Sequence, residues 1–257
     1  MDISFIIPSN SAKVYQGLSS RFAAVEPPTW GLLLAQACRS KGLKVSIIDS
    51  NAENLTDDET NNRIKELNPK MLCFVVYGQN VNAGTTNMSG AVRLSNFLKS
   101  KNQDYIIGYV GSHVQALPIE TLQNEKSIDL CFTNEGVYAL INIGQLDVLS
   151  KEKLKNIKGI AFRDEYNQIK INPPERIVPQ EKMDEDLPGY AWDLLPFKKN
   201  KFDLYRSPSW HANYDETKRS PYASIQTSLG CQFGCDFCMI NMINRNDNEE
   251  IGVAGNY

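Results

Sequence analysis

The stretch "MLCFVVY", residues 71–77, decides the fold. Its nearly unbroken apolar content, rich in β-branched and aromatic residues, suits a central strand covered on both faces, because a strand with one wet face would alternate apolar and polar positions. Working outward, "ISFIIP" (3–8) and "KVSIID" (44–49) precede it, and "YIIGYVG" (105–111) and "DLCFTN" (129–134) follow it with the same texture. The segments between read as helices: 29–42, 56–68, 85–102 and 117–125, with 136–150 after the last strand. The first places Leu33, Leu34 and Ala37 on one stripe and stops at Gly42. In the second, Thr56 with Glu59 three residues later is a capping-box signature, and Pro69 closes the segment. Five β-α units in this order predict an α/β fold, a Rossmann-like doubly wound parallel sheet, over residues 1–150. Sheets of that kind bind ligands in the crevice beyond the carboxyl ends of the strands.

After residue 150 the texture changes. Strands at 159–163 and 168–171, joined through Asp164 to Asn167, read as a hairpin. Residues 173–221 then hold seven of the twelve prolines and the string "DEDLPGYAWDLLPF" (184–197), too apolar for a free linker and too proline-rich for long helices. We expect 151–221 to be a hairpin followed by an extended connector packed across a domain boundary, with Trp192 and Trp210 as packing anchors. The acidic run "EKMDED" (181–186) reads as solvated surface.

Composition narrows the partners. With 27 basic and 30 acidic residues the formal net charge is -3, which offers no electrostatic footprint for nucleic acid or an anionic membrane. No run of eighteen apolar residues occurs, and no basic leader precedes the first apolar run. A cytoplasmic protein with a small-molecule or protein substrate is the expectation. Asp49 ends the second strand where a dinucleotide fold would bind ribose. However, the residues after the first strand, "PSNSAKVYQG", lack Gly-x-Gly-x-x-Gly, which argues against NAD.

Three of the six cysteines, Cys38, Cys73 and Cys131, stand singly inside apolar runs and read as core. The other three crowd into "SLGCQFGCDFCMIN" (228–241) as Cys231, Cys235 and Cys238, spaced C-x3-C-x2-C. Thiols so close in sequence converge only if the backbone curls tightly, which Gly230 and Gly234 permit. Thiolates select a soft metal, either zinc or an iron-sulfur cluster. Structural zinc takes four protein ligands, and the nearest further one is His211, twenty positions upstream of Cys231. A cluster held by three cysteines instead leaves one iron open for chemistry.

The motif CxxxCxxC, with Phe237 before its third cysteine and "SLG" before its first, resembles the signature of radical S-adenosylmethionine (SAM) enzymes. That resemblance implies a [4Fe-4S] cluster on Cys231, Cys235 and Cys238, SAM chelated by the open iron, and Phe237 against the adenine. It further implies cleavage of SAM to methionine and a 5'-deoxyadenosyl radical, driven by an electron donor such as flavodoxin or ferredoxin. The first half is similar to the cobalamin (B12) domain that many of these enzymes carry. "EPPTWGLLLAQACRSKGLKVSIID" (26–49) resembles its Pro-Pro, Gly-Leu helix and following strand. "GYVGSHVQALPIETL" (108–122) resembles its Gly-Gly-x-His loop, and "DLCFTNEGVYAL" (129–140) its Gly-Glu-Gly-Glu segment. "GIAFRDEYNQI" (159–169) and "LPGYAWDLLPF" (187–197) are similar to its hairpin and connector.

Cobalamin contacts at Gly111, Ser112, His113, Glu135 and Gly136 are what the resemblance implies. The sequence departs from the pattern at Ser112, Asn134 and Val137, and it lacks the Asp-x-His-x-x-Gly by which other cobalamin domains put a histidine on cobalt. His113 is thus either a cofactor contact or a loop histidine bonded to its surroundings.

Residues 222–257 resemble only the start of a radical SAM (β/α) barrel: a strand "YASIQTS" (222–228), the cysteine loop and the opening of a helix. A complete barrel takes about 250 residues. The expectation is therefore the N-terminal part of a cobalamin-dependent radical SAM enzyme, a methyltransferase acting on an unactivated carbon, inactive alone. Two alternatives stay open: a non-catalytic cobalamin-binding module that needs a partner, and a zinc-bearing interaction domain.

Overall fold

The structure, a computed structural model, describes residues 1–9, 25–77, 84–196, 204–205, 222–231, 233 and 235–240. Seven strands form one sheet in the order β2-β1-β3-β4-β5-β6-β7. They are β1 (Ile3–Ile7), β2 (Val45–Asp49), β3 (Met71–Val75), β4 (Ile107–Val110), β5 (Leu130–Phe132), β6 (Ile160–Arg163) and β7 (Ile169–Ile171). β1 to β5 pair in parallel, with Ile3 opposite both Val45 and Met71, and the strand order reverses between β1 and β3.

The central strand behaves as its composition demands. Met71, Cys73 and Val75 enter the core on one face, while Leu72, Phe74 and Val76 enter it on the other. The first face is covered by α1 (Thr29–Ser40) and α6 (Val137–Gly144), the second by α2 (Asp57–Leu67), α3 (Gly84–Lys101) and α5 (Pro118–Asn124). The capping box forms at the start of α2: Glu59 N donates to Thr56 Oγ1 and Thr56 N donates to Glu59 Oε2. α4 (Ser112–Ala116) is a helical turn that sequence periodicity did not announce, since five residues are too few to show a period. Cys38, Cys73 and Cys131 are buried free thiols, each made harder to ionise by burial, Cys38 to about 12.

The hairpin at 160–171 extends the sheet in the opposite sense. β6 runs antiparallel to β5, pairing Phe132 with Ile160, and β7 runs antiparallel to β6. The chain then leaves at the carboxyl edge of the parallel strands and crosses the face covered by α1. Ile177, Val178, Leu187, Ala191 and Leu195 are buried there. Arg39 donates two hydrogen bonds to the Asp193 carboxylate, at 2.6 and 2.8 Å. Within the acidic run one residue departs from the expected solvated surface: Asp186 is buried against Lys41, at 2.7 Å, and accepts from the Tyr138 hydroxyl, at 2.6 Å. Burial takes it from water because two donors on the sheet domain meet it. Among the described residues no helix is long and apolar enough to cross a membrane.

Candidate cofactor site

The loops at the carboxyl edge of the parallel strands bring together the predicted residues of the first half. Gly111 follows β4, and its φ of +156° accompanies a very close backbone approach: a Cβ there would lie 2.1 Å from Val76 O. Only glycine lets the β4 loop meet the end of β3 so closely. Ser112 follows, fully buried, with its hydroxyl against the start of α3, where a Cβ on Gly84 would come within 2.0 Å of Ser112 Oγ. His113 is half-buried, and its Nδ1 lies 3.0 Å from Thr85 Oγ1. Burial lowers its pKa, opposed by the Glu125 charge, so near neutral pH it is held toward the uncharged imidazole.

One residue that sequence reasoning missed ties these loops together. Gln115 is buried, and its Nε2 donates to Tyr77 OH at 2.9 Å and to Asn134 O. It therefore spans from the end of β3 to the end of β5 across β4. Its signal in the sequence was its place three residues after Ser112, on one face of a helical turn. Among the described residues, Ser112 Oγ and Gln115 Oε1 are buried with no hydrogen-bond partner. Buried polar atoms of this kind are few in native proteins, and a ligand group is one way to satisfy them.

The loop after β5 is bonded to the connector. Glu135 is buried, with its Oε1 accepting from Val178 N at 2.6 Å and its carbonyl accepting from Trp30 Nε1 at 3.2 Å. Asn134 Nδ2 donates to Glu175 O at 2.7 Å, and Asn134 Oδ1 accepts from Gly136 N at 3.1 Å. Gly136 adopts φ +88° to start α6. This loop holds the connector at 175–178. Glu135, one of the residues expected to contact cobalamin, uses Oε1 to hold the protein's own backbone at Val178.

Asp49, at the end of β2, is buried and accepts from Ala52 N and from the Tyr205 hydroxyl, each at 2.9 Å. Burial pushes its pKa up to about 6 against those hydrogen bonds. Burial and the neighbouring Asp49 charge push the Tyr205 hydroxyl up as well.

The cysteine segment stands apart in character. Tyr222 and Leu229 pack against the core on the α1 face, and Gly230 turns the chain at φ +78°. Cys231 and Cys235 are exposed and Cys238 is half-buried, all free, with Cys238 N donating to Cys235 O at 3.0 Å. Phe237 is 83% exposed. Among the described residues no three His, Cys, Asp or Glu side chains are gathered as a metal site. His211 and Trp210 lie outside the described residues.

A family model for the B12 binding domain matches residues 16–143. Over 239 residues, 93% of this chain, the sequence is 26% identical to an uncharacterised methyltransferase of Pyrococcus horikoshii, and the chain spans 45% of that relative's length. Among solved structures, the apo, selenomethionine-labelled cobalamin-dependent S-adenosylmethionine radical enzyme OxsB is similar, with a TM-score of 0.50 and 17% identity over 75% of this chain and 24% of that one. At that identity the likeness is one of fold. The family match runs over β2 to β5 and both candidate loops, so residues 16–143 are similar in sequence to the B12-binding domain family.

Proposed function

We propose that the chain is the N-terminal part of a cobalamin-dependent radical SAM methyltransferase. One observation carries the reading: a chain with a B12-binding domain over 16–143, aligned along 93% of its length with a methyltransferase, also bears C-x3-C-x2-C at 231–238. A corrinoid is rimmed by primary amides, and the unpartnered buried oxygens of Ser112 and Gln115, with the close backbone at Gly111, suit that donor set. Cys231, Cys235 and Cys238 supply accessible free thiols of the kind an iron-sulfur cluster takes, and Phe237 offers an exposed aromatic face for adenine. When bound, these groups supply reductive cleavage of SAM and delivery of a methyl group.

The chain's own residues do the holding. Gln115 fixes the β4 loop to the ends of β3 and β5, and Glu135 and Asn134 fasten the connector to the same edge. His113 is kept uncharged by burial rather than offered as a cation. We place SAM, a carbon substrate and an electron donor such as flavodoxin or ferredoxin among its partners, in the cytoplasm.

The exposure of Cys231 and Cys235, and the lack of a gathered metal site among the described residues, favour one second reading. In it the chain is a cobalamin-binding module that works with a partner. Titration with hydroxocobalamin, followed by anaerobic reconstitution with iron and sulfide, separates the two. A spectral change retained on desalting together with about four irons per chain is the expected result for three-cysteine cluster ligation. Cobalamin without iron selects the module, stoichiometric zinc selects an interaction domain, and no retained cobalamin removes both cofactor readings.

A further inference from the structure

The segment that leads into the cysteine loop lies in no strand of the sheet, yet one side chain of the connector takes over the work of a neighbouring strand. The Tyr190 hydroxyl accepts a hydrogen bond from Gln226 N at 2.7 Å and donates one to Gln226 O at 3.1 Å. Both main-chain groups of one residue are thereby satisfied by a single phenol, as a ladder partner would satisfy them. We propose that Tyr190 is a positioning residue that fixes the start of the cysteine loop on the B12-binding domain.

Both ends of the contact are anchored. On the connector side, the Tyr190 ring packs on Trp192 with centroids 5.2 Å apart, Ala191 N donates to Leu32 O of α1 at 3.3 Å, and Asp193 is gripped by Arg39. On the other side, the Tyr222 hydroxyl bonds to Glu26, just before α1, and Leu229 packs against the core. Tyr190 thus holds the middle of a segment whose two ends are docked, while Ile225 to Ser228 between them are exposed. Five residues after Gln226 comes Cys231, reached through the turn at Gly230. The residues before α1 lie at the carboxyl edge of the sheet, so the docked segment starts out from that edge. This inference rests on the reading of Cys231, Cys235 and Cys238 as cluster ligands for its consequence, and on the geometry alone for the tether.

The test uses Tyr190→Phe, which keeps the ring on Trp192 and deletes both hydrogen bonds. Hydrogen exchange of the peptide 222–230 is expected to quicken by up to about tenfold, while peptides covering β3 and β4 keep their protection. After anaerobic reconstitution with iron and sulfide, loss of iron to a chelator is expected to be several-fold faster in the variant, and the reduced-cluster electron paramagnetic resonance signal broader. Tyr166→Phe, at the exposed hairpin tip, serves as the control and changes neither. Identical exchange over 222–230 in Tyr190→Phe and the parent chain overturns the tether. Quickened exchange with unchanged iron release and spectrum overturns the link to the cysteine loop. A parent chain that takes up no iron sinks the cluster reading instead, and the exchange result then decides the tether by itself.

Discussion

Gly111 and Asp49 are two residues at this sheet edge held closely by their surroundings. A methyl group at 111 would collide with Val76 O at 2.1 Å, so Gly111→Ala must part the ends of β3 and β4. Its unfolding free energy in urea is expected to fall by about 3 kcal/mol, in the range of severe backbone and packing conflicts. Asp49 has a pH-dependent signature. Its carboxyl, ordinarily at 3.8, is pushed up to about 6 by burial, so the folded state holds the proton more tightly than the unfolded chain does. The stability this gives is complete below about pH 4 and is lost as pH rises through about 6, a change on the order of 3 kcal/mol. Asp49→Asn should remove that part of the slope in a urea series from pH 4 to 7, and an unchanged slope would mean the carboxyl is not where the proton sits. The sequence made Asp49 visible only as a strand-end acid. Its partner Tyr205 lies 156 positions away, and no local pattern reveals a contact of that span.

Among the elements, the strands and long helices were legible because burial on both faces forces apolar runs and amphipathic helices force a period. The five parallel strands fall within the expected stretches, and the capping box at Thr56 forms as its spacing implied. Thr56→Ala is expected to cost about 1 kcal/mol in thermal or urea unfolding. What escaped was structure carried by short pieces. α4 has no period to read, and nothing local at 134–136 announces that the loop bonds to the connector about 40 residues later. Glu135 is an instance, since its Oε1 accepts from Val178 N 43 positions away. Glu135→Ala leaves that amide buried without its acceptor, at a cost of about 1–3 kcal/mol. Limited proteolysis should then cut the connector between 172 and 196 faster than in the parent chain, with β1 to β5 still intact.

At the scale of the whole molecule, the candidate cofactor loops and the cysteine segment draw on separate residues, and their loading should be separable. Replacing Cys231, Cys235 and Cys238 together by alanine is expected to abolish iron uptake while leaving hydroxocobalamin affinity within about twofold, because sites without shared partners act nearly independently. A loss of cobalamin binding in that variant would show the two sites to be one. The paired strands β6 and β7 have a further consequence for such an arrangement. Five parallel strands each begin at the same edge, so a sixth of that kind would start there too and would need a crossover of a dozen residues or more to reach its neighbour. By reversing direction twice, β6 and β7 return the chain to the carboxyl edge after only a short turn at 164–168. The parity of those reversals decides which side of the sheet the downstream polypeptide meets: a single added or deleted strand in the hairpin would deliver everything after residue 171 to the opposite rim, however well each part folded.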